Sequence, residues 1–168
     1  ELVSVLKADG FILAGGAAFA CRHAFSDLLA PGRPDDADLK AAETFILKAA
    51  ARAEELPETS ETLQVPGDAA APYYVPKGTD GQPAKFLKAK PLTDMKKCTK
   101  CGYCVKLCPV GSIDPEDVTN VPGVCIKCQA CVRGCALGAK YFDDPAFLSH
   151  VKFLEQNYTE RKENSFYL

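Results

Sequence analysis

The chain has 168 residues, 47% hydrophobic and 25% charged, a composition that suits one ordinary globular core or two small ones and excludes collagenous and wholly disordered chains. No apolar run reaches the about 18 to 20 residues that a membrane span needs, and the N-terminus lacks the basic patch that opens a secretory signal, so the chain reads as cytoplasmic. Net charge is −2 but uneven: residues 1–76 carry 6 basic and 12 acidic side chains, residues 77–106 carry 8 and 2, and residues 107–168 carry 6 and 8.

Leu2, Val5 and Leu6 recur at helical spacing and Asp9 and Gly10 supply a stop, which predicts a helix over residues 1–8. That helix is already under way at Glu1, and the expectation is that further sequence precedes it. "FILAGGAAFA", residues 11–20, is a nearly continuous apolar run, and it predicts a strand over 11–15 buried on both faces. Such a strand needs a neighbour: preceding chain, another subunit in an oligomer built through residues 1–20, or the cysteine-rich unit further on. Pro34 with Asp35, Asp36 and Asp38 favours a helix N-terminus, and Arg33 belongs to the same helix start. Leu39, Ala42, Phe45, Ile46, Ala49, Ala53 and Leu56 then share one face, predicting a helix over 35–56. Residues 57–91 hold six prolines and little periodicity, which reads as a linker, with Tyr73, Tyr74 and Phe86 tying it down in part. After the cysteine-rich segment, Asp144 and Pro145 start a helix in which Phe147, Leu148, Val151, Leu154 and Tyr158 share a face, and "RKENSFYL" closes the chain as a docked or frayed tail.

Nine cysteines are present, and eight of them lie between residues 98 and 135 in two runs, "CTKCGYCVKLCP" and "CIKCQACVRGCA". The runs form an internal repeat, because 98 and 125, 101 and 128, 104 and 131, and 108 and 135 are each 27 residues apart. In each run three evenly spaced thiolates can wrap one face of a cubane, and the fourth leaves by a helical turn; Pro109 turns the chain away after Cys108. Disulfides need no such rhythm and do not suit a cytoplasmic chain. Zinc sites favour paired CxxC units separated by long loops, so a zinc-stabilised interaction module is the poorer reading of the spacing. Small residues Gly102, Ala130, Gly134 and Ala136 let the backbone approach the sulfurs, and Val105, Leu107, Val110, Ile113, Val124, Ile126, Val132 and Leu137 supply an apolar jacket.

On these runs, residues 92–142 resemble a bacterial-type ferredoxin with two [4Fe–4S] clusters. In the known run of this spacing the fourth cysteine serves the other cluster. The resemblance therefore implies that Cys98, Cys101, Cys104 and Cys135 hold the first cluster, and Cys108, Cys125, Cys128 and Cys131 the second. About fifty residues bury little apolar surface alone, so the metal would be structural as well as functional. The second run departs from the family in placing Ala136 where proline is usual, which bears on backbone rigidity and not on ligation.

"GFILAGGAAFACRHAFSDLLAPGRPDD" and "YTERKENSFYL" are similar to a fusion family in which a flavodoxin-like domain precedes a ferredoxin domain. The implied fold is α+β: residues 1–56 as a helix–strand–helix remnant of the flavodoxin-like α/β domain, 57–91 the linker, 92–142 the ferredoxin-like unit with its pseudo-two-fold repeat, and 143–168 a C-terminal helix and tail. The phosphate loop of such a domain is absent, and Gly15 and Gly16 do not replace it. The resemblance thus implies no flavin on these residues and FMN in an intact fusion. No acid, base or nucleophile constellation stands out, so the expected role is a single-electron carrier between redox donor and acceptor proteins. The alternative is the wire module of an FMN-dependent oxidoreductase. Cys21 reads as a small buried hydrophobe, His23 beside Arg22 as a structural histidine with a phosphate or flavin contact as its other reading, and Tyr103 and Tyr141 as packing against clusters. Lys77, Lys85, Lys88, Lys90, Lys96, Lys97, Lys100 and Lys106 form a collar with three readings: a solvated face, compensation for cluster charge, or docking of an acidic redox partner. With no base-reading motif and no basic balance, nucleic acid is not an expected partner.

Overall fold

The computed structural model describes residues 1–56, 63–68 and 70–168; the start of the expected linker, residues 57–62, lies outside them. In chain order the elements are α1 (Leu2–Ala8), β1 (Gly16–Ala18), α2 (Asp36–Glu55), β2 (Leu92–Thr93), α3 (Tyr103–Leu107), α4 (Ala130–Arg133), β3 (Lys140–Tyr141), α5 (Pro145–Asn157) and β4 (Ser165–Tyr167). Helices with two small two-stranded sheets make the class α+β. Among the described residues no helix is long and apolar enough to cross a membrane. The chain divides into two compact units, one of residues 1–22, 30–74 and 160–168, the other of residues 23–29 and 75–159.

In the first unit the expected strand over 11–15 does not form. The strand is β1, three residues long with Ala17 and Ala18 exposed, so it is not buried on both faces. Its partner is none of the three expected ones: β1 pairs antiparallel with the chain's own tail, Gly16 opposite Tyr167 and Ala18 opposite Ser165. Packing explains the shift. A Cβ on Gly15 would lie 3.1 Å from both Phe45 Cζ and Leu168 Cδ2, so the glycine pair marks where α2 and the tail close on the backbone. The ring of Phe166 meets Phe19 and Phe45, each at 5.5 Å.

A capping box starts α2: the Asp35 carboxylate accepts from the Asp38 N–H, and the Asp38 carboxylate accepts from the Asp35 N–H, both at 2.9 Å. Arg33 then grips Asp38 with a fork of two bonds, through Nε at 2.8 Å and through Nη2. Both side chains are almost fully buried, at 2% and 3% exposure, and Asn164 of the tail adds a bond to the Asp38 carboxylate. Arg33 thus does more than start a helix; it joins α2 to the tail. The expected apolar face of α2 is only partly used, because Leu39 and Ile46 are exposed while Ala42, Phe45 and Ala49 are half-buried.

In the second unit β2 and β3 pair antiparallel, Leu92 opposite Tyr141 and Thr93 opposite Lys140. Helix α5 starts where Asp144 caps the Phe147 N–H at 2.8 Å and Pro145 occupies the first turn. Phe147 is buried, with the rings of Phe25, Phe86 and Phe142 at 4.9, 5.5 and 4.8 Å. Leu148 and Tyr158, expected on the same face, are exposed. His150 is buried in their stead, stacked on Phe86 at 5.3 Å with Nδ1 2.9 Å from the Lys77 carbonyl. A histidine fits there because the carbonyl satisfies its ring nitrogen.

Candidate metal centre

The two cysteine runs fold the same way twice. Lys100 and Lys127 both have φ of 57°, Gly102 has 71° where Gln129 has 63°, and Gly111 and Gly138 both have 58°; every pair is 27 residues apart. These left-handed residues bend each run in the same way, and Gly102 and Gln129 among them set the starts of α3 and α4. Four N–H groups reach sulfur with the same repeat: Lys100 to Cys98 and Lys127 to Cys125 at 3.4 Å, Ser112 to Cys108 and Ala139 to Cys135 at 3.2 Å. Gly134 serves by its size, since a Cβ there would fall 2.1 Å from Leu107 Cδ1, and that closeness brings α4 against α3. Gly102 has open space around it and a left-handed φ of 71°, so a side chain there would strain the backbone without striking a neighbour.

Two cavities result. One, of about 350 Å³, is lined by Cys98, Cys101, Cys104 and Cys135, with Tyr103, Leu137 and Lys140 among the other walls. The second is lined by Cys108, Cys125, Cys128 and Cys131 and is much tighter, about 20 Å³. Repeat-equivalent positions explain the difference: where the first cavity has Thr99 and Gly102, the second has the bulkier Ile126 and Gln129. Each cavity takes three sulfurs from one run and the fourth from the other. All nine cysteines are free thiols, which leaves the disulfide reading without a pair. Among the described residues no three His, Cys, Asp or Glu side chains converge on a point that one ion could occupy.

The electrostatics suit thiolate ligation. Burial raises the Cys108 thiol, but the N–H groups of Ser112, Val110 and Ile113 outweigh it and leave the thiol below its ordinary value. Cys135 is lowered in the same way, burial being outweighed by the N–H groups of Ala139, Lys140, Leu137 and Gly138. Burial pushes Cys131 up to about 11; Lys140 opposes the rise, and Cys125, Cys128 and Cys104 add to it. Sulfurs this crowded repel one another as anions, a repulsion that a bound metal would relieve.

Other expected residues fall elsewhere. Cys21, expected as a small buried hydrophobe, is exposed. His23 lines neither cavity; its Nδ1 accepts the Phe25 N–H at 3.2 Å, and burial, then His150 and Arg133, lower its pKa. Tyr103 lines the first cavity while Tyr141 lines neither. Of the apolar jacket, Leu137, Val110, Ile113 and Ile126 line a cavity, and Val124 is 82% exposed. The eight collar lysines are all exposed. The lysines that are buried, Lys127 and Lys140, lie outside the collar and were not singled out from sequence. Laying one run on the other shows a signal for Lys140, whose repeat mate is Ile113. Ser112, 2% exposed, was likewise missed; its Oγ donates to the Val124 carbonyl at 2.5 Å.

Residues 91–114, which contain the first run and its cavity-lining sulfurs, match the family described as 4Fe-4S binding domain. This part of the chain is an iron–sulfur domain of ferredoxin type, and its chemistry is electron transfer through a 4Fe-4S cluster. No curated protein and no solved structure matches the chain.

Proposed function

We propose that the chain carries two [4Fe–4S] clusters of the bacterial ferredoxin type and passes single electrons through them. Cys98, Cys101, Cys104 and Cys135 hold one cluster; Cys108, Cys125, Cys128 and Cys131 hold the other. The observation that carries this reading is the repeat at 27-residue spacing of sulfurs, left-handed residues and N–H to sulfur bonds around two four-sulfur cavities. Iron and sulfide quantitation on anaerobically prepared protein, followed by electron paramagnetic resonance of the reduced form, tests it. Two coupled reduced clusters are expected. Zinc at stoichiometric level, or iron for a single cluster only, would overturn it.

The partners are a redox donor and an acceptor protein in the cytoplasm, and the exposed lysine collar supports an acidic face on one of them. The wider reading makes this chain the wire of a flavodoxin–ferredoxin fusion that binds FMN and acts as an oxidoreductase. Its support is the resemblance of residues 10–36 and 158–168 to that family. Reduction of FMN through the clusters in a protein that includes a phosphate-binding loop tests it. Self-association through residues 1–20 is supported by the exposed side chains of Leu2, Val5, Phe11 and Ile12, and light scattering checks it.

A further inference from the structure

Lys127 and Lys140 are buried, 9% and 3% exposed, in a unit whose other lysines mostly lie in water. Neither has a carboxylate partner among the described ion pairs. The Lys140 ammonium donates to the Val118 carbonyl at 2.5 Å, and the Lys127 ammonium donates to the carbonyls of Leu87 and, at 3.0 Å, Cys125. Carbonyls satisfy hydrogen bonds but leave the charge uncompensated, and a buried cation without an anion is strongly disfavoured. Lys140 is a wall of the first cavity, and its charge also acts on Cys131 of the second. Asp117, on the loop before Val118, is the carboxylate whose ionisation Lys140 favours, but it is exposed and is shared with Lys100. At the position equivalent to Lys140 the second cavity has Ile113, so the fold does not need a cation there to build a cavity.

We propose that Lys140, seconded by Lys127, is the internal counter-cation of the iron–sulfur pair and holds the reduction potentials up. This rests on the two-cluster reading above. The compensation role thereby leaves the solvated collar, where water and salt screen each charge, for two side chains where neither does. Adding an electron to a cluster adds negative charge, and a fixed buried ammonium favours that state. Lys140 supplies charge and no ligand atom; it is a tuning residue.

The test compares Lys140→Met, Lys127→Met, Lys140→Arg and the collar control Lys106→Met, each prepared anaerobically in the full chain. Iron and sulfide per chain are measured first, then midpoint potentials by redox titration followed by electron paramagnetic resonance. The expected result is full iron with both midpoints moved to lower potential in Lys140→Met, a smaller downward move in Lys127→Met, and none in Lys106→Met. Full iron with unmoved midpoints in Lys140→Met overturns the proposal. If Lys140→Met fails to load iron, Lys140→Arg decides. Loading with wild-type midpoints supports a charge role, whereas failure of both variants assigns Lys140 to packing and overturns it. Absence of clusters from the unaltered protein would instead overturn the two-cluster reading.

Discussion

The contact between α3 and α4 offers a sharp test of how the sulfur cage is built. Replacing Gly134 with alanine adds one carbon, placed 2.1 Å from Leu107 Cδ1 and 2.9 Å from the Ala130 carbonyl oxygen. Carbon atoms pack at about 3.5 to 4.0 Å, so the overlap with Leu107 exceeds an ångström. Leu107 can rotate its end away, but the Ala130 oxygen is held by the Gly134 N–H at 2.9 Å and has nowhere to go. The backbone of Gly134 is ordinary right-handed helix, φ −81°, so sterics are the whole effect. Overpacking of this kind costs about 1 to 3 kcal/mol. At about 1.4 kcal/mol per factor of ten that is a loss of about 5- to 150-fold in the folding equilibrium.

Once iron leaves, unfolding of a cluster protein is irreversible, so the measurable quantity is a rate. The assay is the loss of visible absorbance at fixed denaturant under anaerobic conditions, and Gly134→Ala is expected to bleach faster by up to that factor. Leu107→Ala removes the atom that the new methyl strikes. The double variant should therefore be less damaged than the two single ones together, with a coupling of about 0.5 to 3 kcal/mol. Wild-type bleaching in Gly134→Ala, or strict additivity with Leu107→Ala, would refute the close approach as the reason for glycine.

Cys135→Ser removes a sulfur from the first cavity although it lies in the second run; iron content is expected to fall by at least about half, with the first cluster lost in every case, and loss confined to the second cluster would contradict the crossed ligand sets. The Asp38 carboxylate is held well below its usual range by the Arg33 bonds first, then by the Asp35 N–H and Asn164. A depressed carboxylate stabilises the fold above its unfolded pKa of about 3.9 and loses that contribution as pH falls through the lower folded value. Thermal unfolding followed from pH 7 to pH 3 should therefore lose midpoint at the acid end in the wild type, and Asp38→Asn, less stable at neutral pH, should show a flatter acid limb. Arg133 of α4 holds the segment 23–29 by bonds to the Ala24 carbonyl and Asp27 at 2.7 Å and to the His23 carbonyl at 3.1 Å. Arg133→Ala should cost about 1 to 3 kcal/mol, speed amide exchange over 23–29, and let the His23 pKa rise toward its ordinary value; unchanged exchange would show the segment to be held by its other contacts, the Phe25 ring and the Ser26–Glu155 bond among them.

The first cysteine run was legible as an iron–sulfur motif because ligation demands one residue type at set distances along the chain, and residues 91–114 match the 4Fe-4S binding domain. Helix α2 was legible for a similar local reason, its cap being written in Pro34, Asp35 and Asp38. The strand near residue 15 was not. A continuous apolar run carries no register, and the register was decided at Gly15 and Gly16 by side chains from α2 and from a tail about 150 residues away. His150 and Leu148 exchange expected places on α5 because a carbonyl from residue 77 waits for one of them. Lys127 and Lys140 read as ordinary surface lysines until the fold closes around their stems. Whether a charge is buried is a property of what lands on it, which no window along the sequence contains.

The crossed arrangement of sulfurs has a consequence for assembly. Each cavity is lined by three cysteines of one run and one of the other, so on the proposed ligand sets a single run with its own three sulfurs would enclose no cluster. Bringing Cys135 to Cys98 closes a long loop, but loop entropy grows only slowly with length, and the Gly134–Leu107 contact brings the two runs together over a few atoms. The fourth cysteines also arrive prepared, since the N–H groups after Cys108 and Cys135 favour their thiolates before iron is present. Three sulfurs without the fourth gain little, whereas the fourth sulfur of one site fixes the run that supplies three to the other. On the proposed ligand sets the two clusters should therefore load together, and a chain with one cluster should be the rare species during reconstitution.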